Sequence, residues 1–217
     1  MNRLLHIDCS PSPQSVSRSL AGIFRTALAD ELPDLAVAHR DLVRTPVPHP
    51  DPAAVHTLIA EPADAAGRAA AALHDELAAE LLAADALLIS APMHNWTIPS
   101  NLKAWLDQAL VPNRTLPYAP GTSALADRPA TVLLAYGGDY GAGSADADMD
   151  HCAPYLRTVL GRVLGYDLEI ITAAHTVAPY LSRDPAELAR SASARGAAEA
   201  AAARRARAVA RGTVAAR

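Results

Sequence analysis

Five short apolar runs, each followed by a stretch with helical patterning, set the limits on what this chain can fold into. The runs lie at residues 4–8, 35–40, 86–91, 131–136 and 168–173. Near-continuous Leu, Ile and Val without polar alternation is the pattern of strands buried on both faces. Between the runs, apolar residues recur at intervals of four. Leu20, Phe24, Leu28 and Leu32 mark one helix, Leu73, Leu77 and Leu81 another, and Leu102, Leu106 and Leu110 a third. Strands alternating with helices imply parallel βαβ units, hence an α/β protein with a doubly wound five-stranded parallel sheet and helices on both faces.

At 217 residues the chain suffices for one well-cored domain. Residues 1–210 are expected to form it, with 211–217 a frayed Arg/Ala-rich tail. Ser17 reads as the N-cap of the first helix. A helix is expected over 152–164, and a last one opened by Pro185 that frays beyond about 208. Its arginine-rich end reads as a solvated helix end rather than a basic interaction arm.

A net charge of −4 lacks the basic field that nucleic acid requires. No apolar run approaches the ~18 residues of a membrane span, and the N-terminus lacks the layout of a secretory signal. Cys9 and Cys152 show neither metal spacing nor a disulfide framework, and the histidines lack i,i+4 pairing. Reduced thiols, a cytoplasmic location and no metal site are expected.

In a doubly wound sheet the loops after strands one, three and four leave on the same edge, where ligands bind. The first carries hydroxyls, Ser10, Ser12, Ser15, Ser17 and Ser19, and no glycine fingerprint or P-loop lysine. With the positive end of the following helix these suit a monophosphate, to which Arg18 could add charge; ordinary caps and turns are the other reading. The second, Pro92-Met93-His94-Asn95-Trp96, could lay backbone and an amide on the edge of a planar ring, with Trp96 as a wall. The third opens with Gly137-Gly138, which permits close backbone approach or simply a tight turn. A phosphate clamp at one end and a ring-binding loop at the other describe a flavin mononucleotide site.

Here the chain resembles the FMN-dependent NADH-azoreductases, a flavodoxin-like group that also reduces quinones. The resemblance is carried by Ser10 with Ser15-Val16-Ser17-Arg18, by the block from Ala91 to Pro99 with Leu102, Lys103 and Asp107, and by Tyr136-Gly137-Gly138. It implies FMN as cofactor, NADH or NADPH as donor, and a quinone, azo or related aromatic acceptor. Ser10, Ser15, Val16 and Ser17 would then contact the phosphate end. Pro92, Met93, His94, Asn95 and Trp96 would contact the isoalloxazine, and Tyr136, Gly137, Gly138 and Tyr140 would border it. It also implies a homodimer with sites at the interface. Hydride transfer through flavin N5, with donor and acceptor using one platform in turn, would give ping-pong kinetics. His94 could protonate the reduced substrate or merely pack beside the ring.

The chain departs from the family at His94, where tyrosine is usual, and at Ala135-Tyr136, where Ser-Arg is common. These departures leave open a tailoring enzyme acting on a polyketide or aromatic intermediate. A flavodoxin-type electron carrier and a flavin-free binding protein are further rivals.

Overall fold

The computed structural model describes residues 1–119 and 122–212. The five apolar runs form one parallel sheet of β1 (Arg3–Asp8), β2 (Ala36–Asp41), β3 (Ala86–Pro92), β4 (Pro129–Ala135) and β5 (Asp167–Ala173), in the order β2-β1-β3-β4-β5. That is the flavodoxin-like order, with its switch point between β1 and β3. The three inner strands are almost wholly buried, as their unbroken apolar runs predict. Edge strand β2 has no fully buried residue, which explains its weak sequence signal.

One face of the sheet is covered by α1 (Val16–Glu31) and α7 (Pro185–Ala210). Leu20, Phe24 and Leu28 of α1 meet the alanine stripe Ala198, Ala202 and Ala206 of α7. The small side chains let the two helices approach closely. The other face holds the larger core, with Leu77 and Leu81 of α3 (Ala65–Ala83) and Leu102, Trp105 and Leu106 of α4 (Ser100–Ala109). Short helix α2 (Pro52–Thr57) packs on α3 and is capped by Asp51.

Four expectations need correction. The N-cap of α1 is Ser15, whose hydroxyl accepts from the Arg18 N–H at 3.1 Å; Ser17 is the second residue of the helix and is fully buried. The helix expected over 152–164 is α for one turn only, α5 (Ala153–Leu156), and continues as a π-helix over Arg157–Val163. The end of α7 is not simply solvated. Arg205 is buried and pairs with Asp167 at 2.8 Å, and Val209 enters the core. The helix runs to Ala210, and Arg211, assigned to the frayed tail, pairs with Glu31 at 3.1 Å. The remainder of that tail, 213–217, lies outside the described residues, as do Pro120 and Gly121.

Candidate active site

The site begins where β1 ends. Asp8 is buried and accepts three hydrogen bonds: from the Arg18 Nε at 2.5 Å, the Ser10 N–H at 3.2 Å and the Ser90 hydroxyl at 3.3 Å. Arg18 also donates to the Ser10 carbonyl at 2.9 Å and to Asp41 at 3.4 Å. The guanidinium is therefore spent within the protein, and it holds the loop 9–15 rather than facing an anion across it. Uncharged Ser15 caps α1 and the first turn has no acidic residue, whereas α2, α3 and α7 are capped by Asp51, Asp64 and Asp184. Among the described residues no protein acceptor faces the Val16 and Ser17 N–H groups. The positive end of α1 is left for an anion.

Behind this loop, buried His6 stacks on His39 with ring centroids 4.7 Å apart and meets the Ser90 hydroxyl at 3.1 Å. Its Nδ1 has no partner. Burial, then the positive neighbours His39, Arg25 and Arg18, lower its pKa to about 3, so the ring is neutral.

The loop after β3 is a two-residue hairpin. His94 and Thr97 exchange backbone hydrogen bonds of 2.9 and 3.1 Å. Between them Asn95 and Trp96 both have positive φ, 46° and 65°. This is a type I′ turn, normally Asn-Gly, with a tryptophan where glycine is favoured. The His151 N–H donates to the Trp96 carbonyl at 3.0 Å, which ties the turn to the segment before α5. Met93 donates to the Ala135 carbonyl at 2.9 Å, so the loops after β3 and β4 leave the sheet side by side.

These loops enclose a cleft of about 400 Å³ at the carboxyl edge of the sheet. Of the residues expected from sequence, Ser10, Ser15, Val16, Pro92, Met93, His94 and Gly137 line it together. Ser17 sits behind it, with its hydroxyl 3.1 Å from that of Ser15. Asn95 lines a neighbouring cavity, whereas the Trp96 side chain is half-exposed and lines neither space.

Tyr136 does not border the cleft. Its ring is buried on the α5 side of the sheet, and its hydroxyl donates to the Asp150 carboxylate at 3.0 and 3.1 Å. Side chains alternate across a strand, and Ala135 takes the cleft-facing position. Tyr140 packs edge-on against Tyr136 at 5.7 Å, and the Cβ position at Gly138 faces the Tyr140 hydroxyl at 3.3 Å. These three brace the loop from behind.

A fourth wall was missed by sequence reasoning. Thr176, Val177 and Tyr180, in and before α6 (Ala178–Leu181), line the cleft. A Cβ on Gly137 would stand 3.3 Å from the Val177 side chain, a tight contact that would press on this wall. The signal was available, because the loop after β5 leaves on the same edge and carries an aromatic residue.

The thiols take no part. Cys9 is wholly buried and its pKa is raised well above the usual thiol range, chiefly by burial. Burial and the Asp150 charge raise that of Cys152 to about 12. Among the described residues no group of His, Cys, Asp and Glu could hold a metal ion.

A cleft with hydroxyls and a helix N-terminus at one side and the loops after β3 and β4 at the other has the layout of a nucleotide-like cofactor site. A family model for the flavodoxin-like fold matches residues 2–201. The FMN-dependent NADH:quinone oxidoreductase of Frankia casuarinae is 42% identical over 182 residues, covering 82% of this chain and 86% of that protein. Its counterpart of the same name in Streptomyces avermitilis is 44% identical over 184 residues, 83% and 84% of the two chains.

This chain belongs to that flavodoxin-like oxidoreductase family.

The fold is shared with the azoreductase of Bacillus anthracis Sterne, at TM-score 0.82 and 21% identity over 95% of this chain and 99% of that one. It is shared too with an FMN-dependent NADH-azoreductase of the Ames Ancestor strain, whose crystal structure is a complex with FMN (TM-score 0.79, 22% identity, 94% and 100% coverage).

Proposed function

We propose that the cleft holds FMN and that the enzyme passes electrons from NADH or NADPH to a quinone, azo compound or related aromatic acceptor. The observation that carries this reading is the positive end of α1, capped only by uncharged Ser15 and with the Val16 and Ser17 N–H groups unpaired among the described residues, at the same cleft as Pro92, Met93, His94 and Gly137. The residues fit the group: hydroxyls and free N–H groups at one end, backbone and one glycine at the other. The names of the 42–44% identical relatives support the choice of cofactor and donor.

Ser10, Ser15 and Val16 would hold the phosphate, with Ser17 contributing its N–H. Pro92, Met93 and His94 would bear on the ring system, with Asn95 and Trp96 shaping the turn beneath it. FMN held there would supply the two-electron chemistry between nicotinamide and acceptor. The chain binds and orients, which agrees with the absence of an activated nucleophile among the described residues. The exposed imidazole of His94 lines the cleft and would give a proton to the reduced product or simply pack beside the ring. If it gives the proton, His94→Phe moves the pH–rate profile; an unchanged profile removes that role.

Donor and acceptor would use the one cleft in turn. Initial-rate plots at several acceptor concentrations are then parallel, and intersecting lines would refute sequential use of one platform. Residues 1–210 would act as a single domain in the cytoplasm, as a homodimer with its sites at the interface. Support for the dimer comes from the exposed rim of Val177, Tyr180 and Leu181 beside the cleft, the last two 67% and 80% exposed. No helix among the described residues is long and apolar enough to cross a membrane.

A further inference from the structure

A second, larger cavity of about 630 Å³ lies on the far side of the β3 hairpin turn. His94 lines both it and the cleft, so one imidazole separates the two spaces. The other walls come from three parts of the chain: His49 of the proline-rich excursion after β2, Ile98 and Lys103 at the start of α4, and Tyr155 of α5. Ile98 and the Tyr155 ring give it apolar surface, and its polar groups are imidazoles, an amide and hydroxyls, which both donate and accept, and the Lys103 ammonium. His49, Ser100 and Tyr155 have no protein hydrogen-bond partner among the described residues. Lys103 carries a full charge, since the Asp107 carboxylate at 2.5 and 2.6 Å raises its pKa. No carboxylate lines the space.

We infer that this cavity is an acceptor subsite for an oxygen-rich fused aromatic, of the hydroxyquinone class. The inference rests on the FMN reading of the adjoining cleft. One ring would lie in the cleft at His94 while the rest of the molecule extends past it. Ile98 supplies an apolar wall. The His49 and Tyr155 side chains, which have no protein partner among the described residues, can donate to the carbonyl and hydroxyl oxygens of such a ligand; the Lys103 ammonium is already paired with Asp107 and borders the space. A single-ring quinone would not reach it.

The test compares benzoquinone with a hydroxynaphthoquinone as acceptors for the FMN-loaded enzyme, in wild type, His49→Phe, Tyr155→Phe and the double variant. Binding of the hydroxynaphthoquinone is also measured directly by calorimetry. The expected result is a wild-type preference for the larger quinone. Each variant then loses about five- to tenfold in its kcat/KM and affinity, through KM, with benzoquinone turnover unchanged. Equal loss on both quinones, no loss on either, or a change in oligomeric state with preference intact would overturn the inference. Absence of benzoquinone turnover in a flavin-bound wild type would instead count against the oxidoreductase reading, and calorimetry would still decide the subsite.

Discussion

Asp8 and Arg18 form a largely buried ion pair directly beneath the phosphate-sized end of the cleft, with the Arg18 Nε 2.5 Å from the carboxylate. The pair holds both ends of one residue, since Asp8 accepts from the Ser10 N–H and Arg18 donates to the Ser10 carbonyl. Its consequence is geometric. Ser10 is clamped, and the charge of Arg18 is cancelled before it can reach a ligand.

Arg18→Ala leaves Asp8 buried without its counter-charge. The cost should fall toward the lower end of the ~3–5 kcal/mol typical of broken buried pairs, because Arg18 is itself 37% exposed. Urea unfolding of the apoprotein measures this. Affinity for FMN should fall more than affinity for riboflavin, because only the phosphate end is disturbed. Equal losses would mean that the pair does not organise the phosphate loop.

Trp96 occupies a left-handed position that favours glycine. Trp96→Gly should relieve about 1 kcal/mol of backbone strain and leave the melting temperature level or raised. A destabilised variant would show that the indole packs as core.

His6 gives a pH dependence of known sign. Its folded pKa of about 3 lies below the usual value of 6.5. Between these values the unfolded chain binds a proton that the folded chain does not. Stability should therefore fall as the pH drops below about 6.5, by up to ~1.4 kcal/mol per pH unit from this one group. His6→Phe should flatten that part of the profile. An unchanged slope would contradict the assignment.

Tyr136 ties β4 to the Asp150 carboxylate, which itself accepts from the Cys152 and Ala153 N–H groups. Tyr136→Phe removes a hydrogen bond to a charged group, worth about 1.5–3 kcal/mol. Hydrogen exchange should quicken across residues 137–152, while a bound flavin's spectrum stays put because the ring lies behind the cleft wall. A displaced spectrum would put Tyr136 against the flavin after all.

The sheet was readable because its inner strands are buried on both faces and therefore uninterrupted in sequence. Convergence of Ser10, Ser15, Met93, His94 and Gly137 followed from the rule that these loops share an edge. Side-chain direction was not readable. Tyr136 lies one residue beyond β4, and a single step in register moves it from the cleft to the core. The hidden role of Arg18 depended on Asp8 and Asp41, which are distant in sequence and joined only by the sheet. The π-helix of 157–163 leaves no periodic signature distinct from an α-helix over so few residues. The Asn95-Trp96 turn lacked the glycine that would have announced it.

The most direct test is an anaerobic absorption spectrum of the purified protein. If the end of α1 and the His94 hairpin together hold FMN, a flavin band near ~450 nm is present or appears on adding FMN. NADH should bleach it, and a quinone should restore it. A folded protein that neither retains nor takes up FMN, or whose flavin NADH cannot reduce, would contradict the account.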